Sequence, residues 1–279
     1  MEEFKPYSNS LTDIHERVSK AISVELSGDQ RKDALRCIMG CIDLTTLEAT
    51  DTESKIAFLC EQARSFSMRK ANVPDVAAVC VFSPFAGLVK GLLEDTGIRT
   101  CCVAGAFPSG QAPLSVKLME VSYVILEGAD EVDMVLSRGR FLEEKFEEVA
   151  DEIRAIKAAC NDAILKVILE TGELKTVENI RKASEIALLS GADFLKTSTG
   201  KTQPAASPEA FLIMLDTIKE YYESTGIKVG IKAAGGIAAH ETALQYYLLV
   251  KEVLGEEWLN KDLFRIGASR LAENIFIEL

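Results

Sequence analysis

Along the chain, short runs rich in apolar and β-branched residues alternate with longer segments in which apolar positions recur every three or four residues. The first pattern predicts strands and the second predicts helices packed by one stripe. Eight strands are expected, at 37–43, 77–82, 100–104, 131–136, 164–170, 193–197, 228–233 and 264–267. Strand and helix repeated eight times predict an α/β fold, a (β/α)8 TIM barrel spanning 36–279, rather than an open sheet. Before it, residues 1–35 carry Leu11, Ile14, Val18 and Ile22 at helical spacing. This predicts an N-terminal helical extension, not a second domain, placed to cap the barrel floor or to pack on a partner subunit in a homodimer.

Punctuation supports the helices. Ser83-Pro84 and Ser207-Pro208 read as N-caps with a first-turn proline, and Gly97, Gly128, Gly191, Gly226 and Gly255 read as C-terminal stops. Over 143–160, Phe146, Val149, Ala150, Ile153 and Ile156 form one apolar face, the mark of an outer helix.

Charge narrows the function. A net charge of -12 argues against nucleic acid and anionic membranes as partners, so an anionic substrate must be held by local groups. Seven cysteines, odd in number and without zinc spacing, sit mostly in apolar runs, as reduced thiols of a cytoplasmic protein do. With only two histidines, a histidine triad or histidine-rich metal site lacks its ligands, and no metal is expected. The first residues show no apolar signal segment, and no apolar run approaches the roughly 18 residues of a membrane span.

In such barrels the chemistry gathers at the carboxyl ends of the strands. There the sequence places Asp43 and Thr45 after strand one, Asp133 in strand four, Lys166 in strand five, Lys196 in strand six and Lys232 in strand seven. A deprotonated lysine attacks a carbonyl to form an imine, and a dry interior with a neighbouring ammonium favours the neutral amine. Lys196 and Lys232 both meet that description, and repulsion acts on both alike. Asp133 is read as an acid or base beside the imine, or as a structural ion-pair partner, with Lys166 in a supporting role. Glycines follow the last three strands, at Gly200 beside Lys201, at Gly235 and Gly236, and at Gly267 before Ser269. Loops of this kind expose backbone N–H groups to phosphate. Leu195 stands where a P-loop needs its first glycine and no dinucleotide fingerprint is present, so no nucleotide cofactor is expected.

The motifs Asp43-Leu-Thr-Thr-Leu47, Ala129-Asp-Glu-Val-Asp133, Leu165-Lys-Val-Ile-Leu-Glu-Thr-Gly-Glu-Leu174, Ala192-Asp-Phe-Leu-Lys-Thr-Ser-Thr-Gly-Lys201 and Gly230-Ile-Lys-Ala-Ala-Gly-Gly236 resemble those of the deoxyribose-phosphate aldolase family, class I aldolases. The likeness runs from the first strand to Ser269. It implies reversible cleavage of 2-deoxy-D-ribose 5-phosphate to D-glyceraldehyde 3-phosphate and acetaldehyde, with no cofactor. It also implies that Lys196 forms the Schiff base, Lys232 perturbs it, and Asp133 moves protons through a water. Asp43 is implied to orient Lys232, Thr45 and Thr199 to contact substrate, and Gly200, Lys201, Gly235, Gly236, Gly267 and Ser269 to cradle phosphate. Three features depart from the family pattern: Ala233 replaces a frequent proline, Arg270 replaces a frequent serine, and the sequence ends at Leu279 where some members carry a tail with a terminal tyrosine. Proton transfer is therefore expected without help from a tail.

Overall fold

The eightfold alternation closes on itself. In the computed structural model, which describes residues 4–279, β1 (Ile42–Thr45), β2 (Ala78–Phe82), β3 (Arg99–Ala104), β4 (Glu131–Val135), β5 (Ile164–Ile168), β6 (Phe194–Lys196), β7 (Gly230–Ala234) and β8 (Phe264–Ala268) form a closed parallel barrel in chain order. Residues 1–3, where the signal-segment reading began, lie outside the described residues.

Because successive strand side chains point to opposite faces, each strand serves two environments. One set, including Leu44, Val81, Cys102, Met134, Val167, Leu195, Ile231 and Ile266, packs outward with the helices into the main core. The other set points into the barrel. On β2 and β3 it is apolar, with Ala78, Cys80, Cys101 and Val103 buried together. On the remaining strands it carries the charges, Asp43, Glu131, Asp133, Lys166, Lys196, Lys232 and Arg265, all buried, together with the apolar ring of Phe194. The barrel is thus filled by packing on one side and by ion pairing on the other.

The chain before β1 differs from its sequence reading. It forms two helices, α1 (Leu11–Ile22) and α2 (Gly28–Met39), so residues 37–39 of the expected first strand are helical. A Ser27–Gln30 capping box starts α2, and Ala34, Leu35, Ile38 and Met39 form its buried stripe. The apolar run read as one strand is the last turn of this helix followed by β1. Nor does α1 cap the floor: it packs on the helices Pro208–Thr225 and His240–Leu254 at the barrel's side. Ile14, Val18 and Ala21 are buried there, while Leu11 stays exposed. Tyr7 and Arg17 both bond Asp216 and fasten this extension to the barrel. Ile14 and Val18, at the centre of the stripe read as a partner surface, are therefore covered by the chain itself.

Other boundaries shift for local reasons. Strand five ends at Ile168, and Glu170 adopts a left-handed backbone with φ 57°. Strand seven starts at Gly230, because Lys228 reaches outward to Glu257. The helix expected over 143–160 begins later, at Phe146, and runs to Ala159, set off from a separate short helix, Arg138–Leu142, by Glu144, which has φ 60°. Ser207 caps its helix through the Ala210 N–H as expected, but Ser83 opens a short 3-10 turn and does not cap through its side chain. All five expected stop glycines have positive φ.

Candidate active site

Strand register brings the charged residues together. Asp133 lies beside Lys166, Lys196 beside Lys232, and Lys232 beside Arg265 on neighbouring strands. Three adjacent cations in one interior require carboxylates between them. These come from β1 and β4. Lys166 Nζ donates to Asp133 Oδ1 at 2.8 Å and also to Glu131. Arg265 donates to Glu131 Oε1 at 2.6 Å and to Asp43. Lys232 donates to Asp43 and, at 2.7 Å, to Asp133 Oδ2. The six side chains form a closed ring of alternating charge: Asp133, Lys166, Glu131, Arg265, Asp43, Lys232 and back to Asp133. With three cations and three anions, the ring is neutral.

Lys196 is the seventh charged group and stands outside the ring. It donates to Asp133 Oδ2 at 2.7 Å, an oxygen it shares with Lys232. It has no carboxylate of its own. Lys196 also forms part of the floor of a cavity of about 740 Å³ at the carboxyl ends of the strands, whose lining includes neither Lys166, Lys232 nor Asp133. That volume suits a small metabolite.

Electrostatics within the ring run opposite to one expectation. Repulsion between lysines was expected to depress their pKa values. Burial does disfavour the charge on Lys232, yet Asp133 and Asp43 outweigh it and hold this lysine well above its ordinary value. Lys166 is raised likewise: burial opposes its charge, but Asp133, Cys101, Glu131 and Asp43 overcome it. Burial would lift the carboxylates, but Lys166, Lys196 and Lys232 push Asp133 well below its usual range, and Lys232 with Arg265 does the same for Asp43. Lys232 is therefore a fixed cation next to Lys196, with no free lone pair of its own.

Glycines make room for this arrangement. A Cβ on Gly267 would lie 3.1 Å from Lys232 Cε, and one on Gly230 would lie 2.3 Å from the Phe194 ring that fills the barrel beneath. Gly200, Gly235 and Gly236 all have positive φ. They line the cavity with Thr45, Thr199, Lys201, Gly267, Ser269 and Arg270, so every residue expected to contact substrate or phosphate reaches the same cavity. Arg270, the departure from the family pattern, lies at its mouth, in the turn before the last helix, Leu271–Glu278. Among the lining residues Lys55, Lys196, Lys201 and Arg270 are cationic and only Glu48 is acidic. This local excess answers the net charge of -12 and suits an anionic ligand. Glu48 pairs with Lys201 across the mouth at 3.1 Å.

Thr45 and Thr199 are both engaged. Thr45 Oγ1 donates to the Asp43 carbonyl at 2.7 Å. Thr199 Oγ1 donates to Glu170 and accepts the Lys201 N–H at 3.1 Å. Glu170 is buried and also pairs with Arg138 at 3.2 Å. Arg138 in turn donates to the Pro108 and Ser109 carbonyls. These bonds tie the loops after β3, β4, β5 and β6 together above the barrel.

Sequence reasoning missed Glu131, Arg265, Glu170 and Arg138. Period-two alternation offered a signal for two of them, since Glu131 precedes Asp133 by two residues and Arg265 precedes Gly267 by two, so each shares the inward face of its strand. Two sets of side chains lie close enough to share a metal ion, Cys80 with Cys101 and Asp133, and Asp43 with Cys101 and Glu131, each with ligand atoms within 4.8 Å of one another. In both sets the carboxylates already accept from lysine or arginine, and Cys101 bonds Asp133 at 3.2 Å. No helix among the described residues is long and apolar enough to cross a membrane.

The chain matches known proteins over most of its length. A family model described as DeoC/LacD family aldolase covers residues 37–250. A Homo sapiens protein named deoxyribose-phosphate aldolase is 43% identical over 244 residues, 84% of this chain and 77% of that one. The Mus musculus protein of the same name is 42% identical over 244 residues, with the same coverage. The solved structure of deoxyribose phosphate aldolase from Aeropyrum pernix, described as tetrameric, superposes with a TM-score of 0.69 at 27% identity, covering 97% of this chain and 98% of that chain.

Proposed function

The chain belongs to the DeoC/LacD family of aldolases, and from that premise we propose that it reversibly cleaves 2-deoxy-D-ribose 5-phosphate to D-glyceraldehyde 3-phosphate and acetaldehyde through an imine on Lys196. The observation that carries this reading is the position of Lys196. It is the one barrel lysine that both lies outside the neutral ring and reaches the cavity.

In the cleavage direction the Lys196 amine attacks the open-chain aldehyde carbon of the sugar, and loss of water leaves a protonated imine. The hydroxyl on the third carbon gives up its proton, the bond between the second and third carbons breaks, and the electron pair enters the imine as an enamine. Glyceraldehyde 3-phosphate leaves. The enamine takes a proton on carbon, and water releases acetaldehyde and the amine. Asp133 is the carboxylate in contact with Lys196, and it accepts and returns these protons through water. Lys232, oriented by Asp43, keeps a fixed positive charge beside the reacting nitrogen. Lys166 holds the other oxygen of Asp133.

The phosphate is held at the mouth by Lys201, by Ser269 and by backbone N–H groups around Gly200, Gly235, Gly236 and Gly267, with Arg270 adding charge. Phosphate at this position competes with Glu48 for Lys201. Free thiols at all seven cysteines support a reducing, cytoplasmic setting.

The direct test is release of glyceraldehyde 3-phosphate from 2-deoxyribose 5-phosphate, followed with and without a metal chelator. The expected result is turnover that the chelator changes by less than about twofold, since the imine serves as electron sink. No release of glyceraldehyde 3-phosphate, or release abolished by the chelator, contradicts the proposal.

A further inference from the structure

The ring contains two residues with no part in the steps above, Glu131 and Arg265. Both are fully buried, and neither lines the cavity. Arg265 hydrogen-bonds both Asp43 and Glu131, one through each terminal nitrogen, with Nη1 also 3.2 Å from Glu131 Oε2. Its Nε is engaged by the Lys261 carbonyl, and the guanidinium stands 5.9 Å from the centre of the Phe194 ring. Glu131 is held from below by Arg99 at 3.1 Å.

Resting on the imine mechanism, we propose that Arg265 and Glu131 are positioning residues that aim Asp133 at Lys196 by closing the ring beneath it. Each oxygen of Asp133 is set by a lysine: Oδ1 by Lys166 and Oδ2 by Lys232, which leaves Oδ2 facing Lys196. Those two lysines are themselves held by Glu131 and Asp43. Arg265 joins the two carboxylates and cancels their mutual repulsion. In the intact ring Lys166 Nζ already lies 3.7 Å from Asp43 Oδ2, so an Asp43 that has lost the Arg265 partner of its Oδ1 is placed to turn toward Lys166 and draw that lysine away from Asp133. Removing Glu131 frees Lys166 in the same way. The displacement reaches the reacting nitrogen while the loops that hold substrate stay in place.

The test uses the full-length protein with Arg265→Met, Arg265→Lys, Glu131→Gln and the Arg265→Met/Glu131→Gln pair, each assayed for cleavage of 2-deoxyribose 5-phosphate beside the wild type. For Arg265→Met, kcat is expected to fall about 30-fold, within the range that misplacing a catalytic group costs, with KM changed less than about threefold. Arg265→Lys keeps the charge but spans only one carboxylate, and it is expected to recover about fivefold of that loss. The paired variant, which removes one charge of each sign, is expected to lose no more than the worse single variant. If Arg265→Met fails to fold, Arg265→Lys and Glu131→Gln carry the test, each with kcat reduced and KM retained. Folded variants with kcat within about threefold of wild type, or with the loss confined to KM, overturn the proposal. A wild type without turnover would instead strike at the aldolase reading itself, so the two failures are told apart.

Discussion

Lys196→Arg is expected to abolish turnover, lowering kcat by more than about four orders of magnitude while leaving the protein folded. Arginine keeps a positive charge beside Asp133, so the pairing that Lys196 makes there at 2.7 Å has a substitute and the neutral ring below is undisturbed. The guanidinium does not lose its proton in a protein and cannot become an imine. Charge, burial and packing are thus retained and only the nucleophile is removed. Steady-state assay and thermal unfolding of the same preparation check this result. A near wild-type rate would move the nucleophile to another amine, and Lys232, held as a cation between Asp43 and Asp133, is poorly prepared for that role.

Asp133→Asn is expected to cost both activity and stability. Among the described residues Asp133 alone bonds all three barrel lysines. Asparagine removes its charge and turns an amide N–H toward at least one ammonium. Leaving buried cations without their carboxylate costs roughly 3–5 kcal/mol. Loss of the proton-moving group is expected to lower kcat by about three orders of magnitude. Denaturant unfolding and kcat measured on one preparation test both parts. A variant as stable as wild type would show that the lysines find another counter-ion, and one as active would remove Asp133 from the proton steps.

The architecture was legible in the sequence because strands that are buried on their outer face leave an apolar run, and eight of these recur with helices between them. The first strand was the exception. The last turn of α2 ends in Cys37, Ile38 and Met39, with only Gly40 and Cys41 before Ile42, and an apolar run of that length reads the same whether its first half is helix or strand. Lys196, Lys232, Asp133, Lys166 and Asp43 stood out because a charge in an apolar strand needs a use. Which lysine faces substrate was not legible from charge and spacing, since that depends on which side chain reaches the cavity; the family resemblance pointed to Lys196, and Lys196 is the one of the two that lines the cavity. The sign of the Lys232 shift was misread for a related reason: repulsion between two lysines is visible in their spacing, whereas the carboxylates that overcome it come from β1 and β4. Glu170 escaped notice because its left-handed backbone carries it out of the strand and under Thr199.

Gly267 shows how one residue type can serve different ends. In the sequence it reads as a phosphate-loop glycine. In the structure its missing side chain also leaves space for the stem of Lys232, so even alanine there would press on the ring.

The central claim is that the reaction passes through a covalent imine on Lys196. Reduction with borohydride in the presence of acetaldehyde, followed by peptide mapping, tests it most directly. The account predicts a stable ethyl group on Lys196 and none on Lys166 or Lys232. An adduct confined to Lys232, or no lysine adduct in a preparation that turns over substrate, would contradict it.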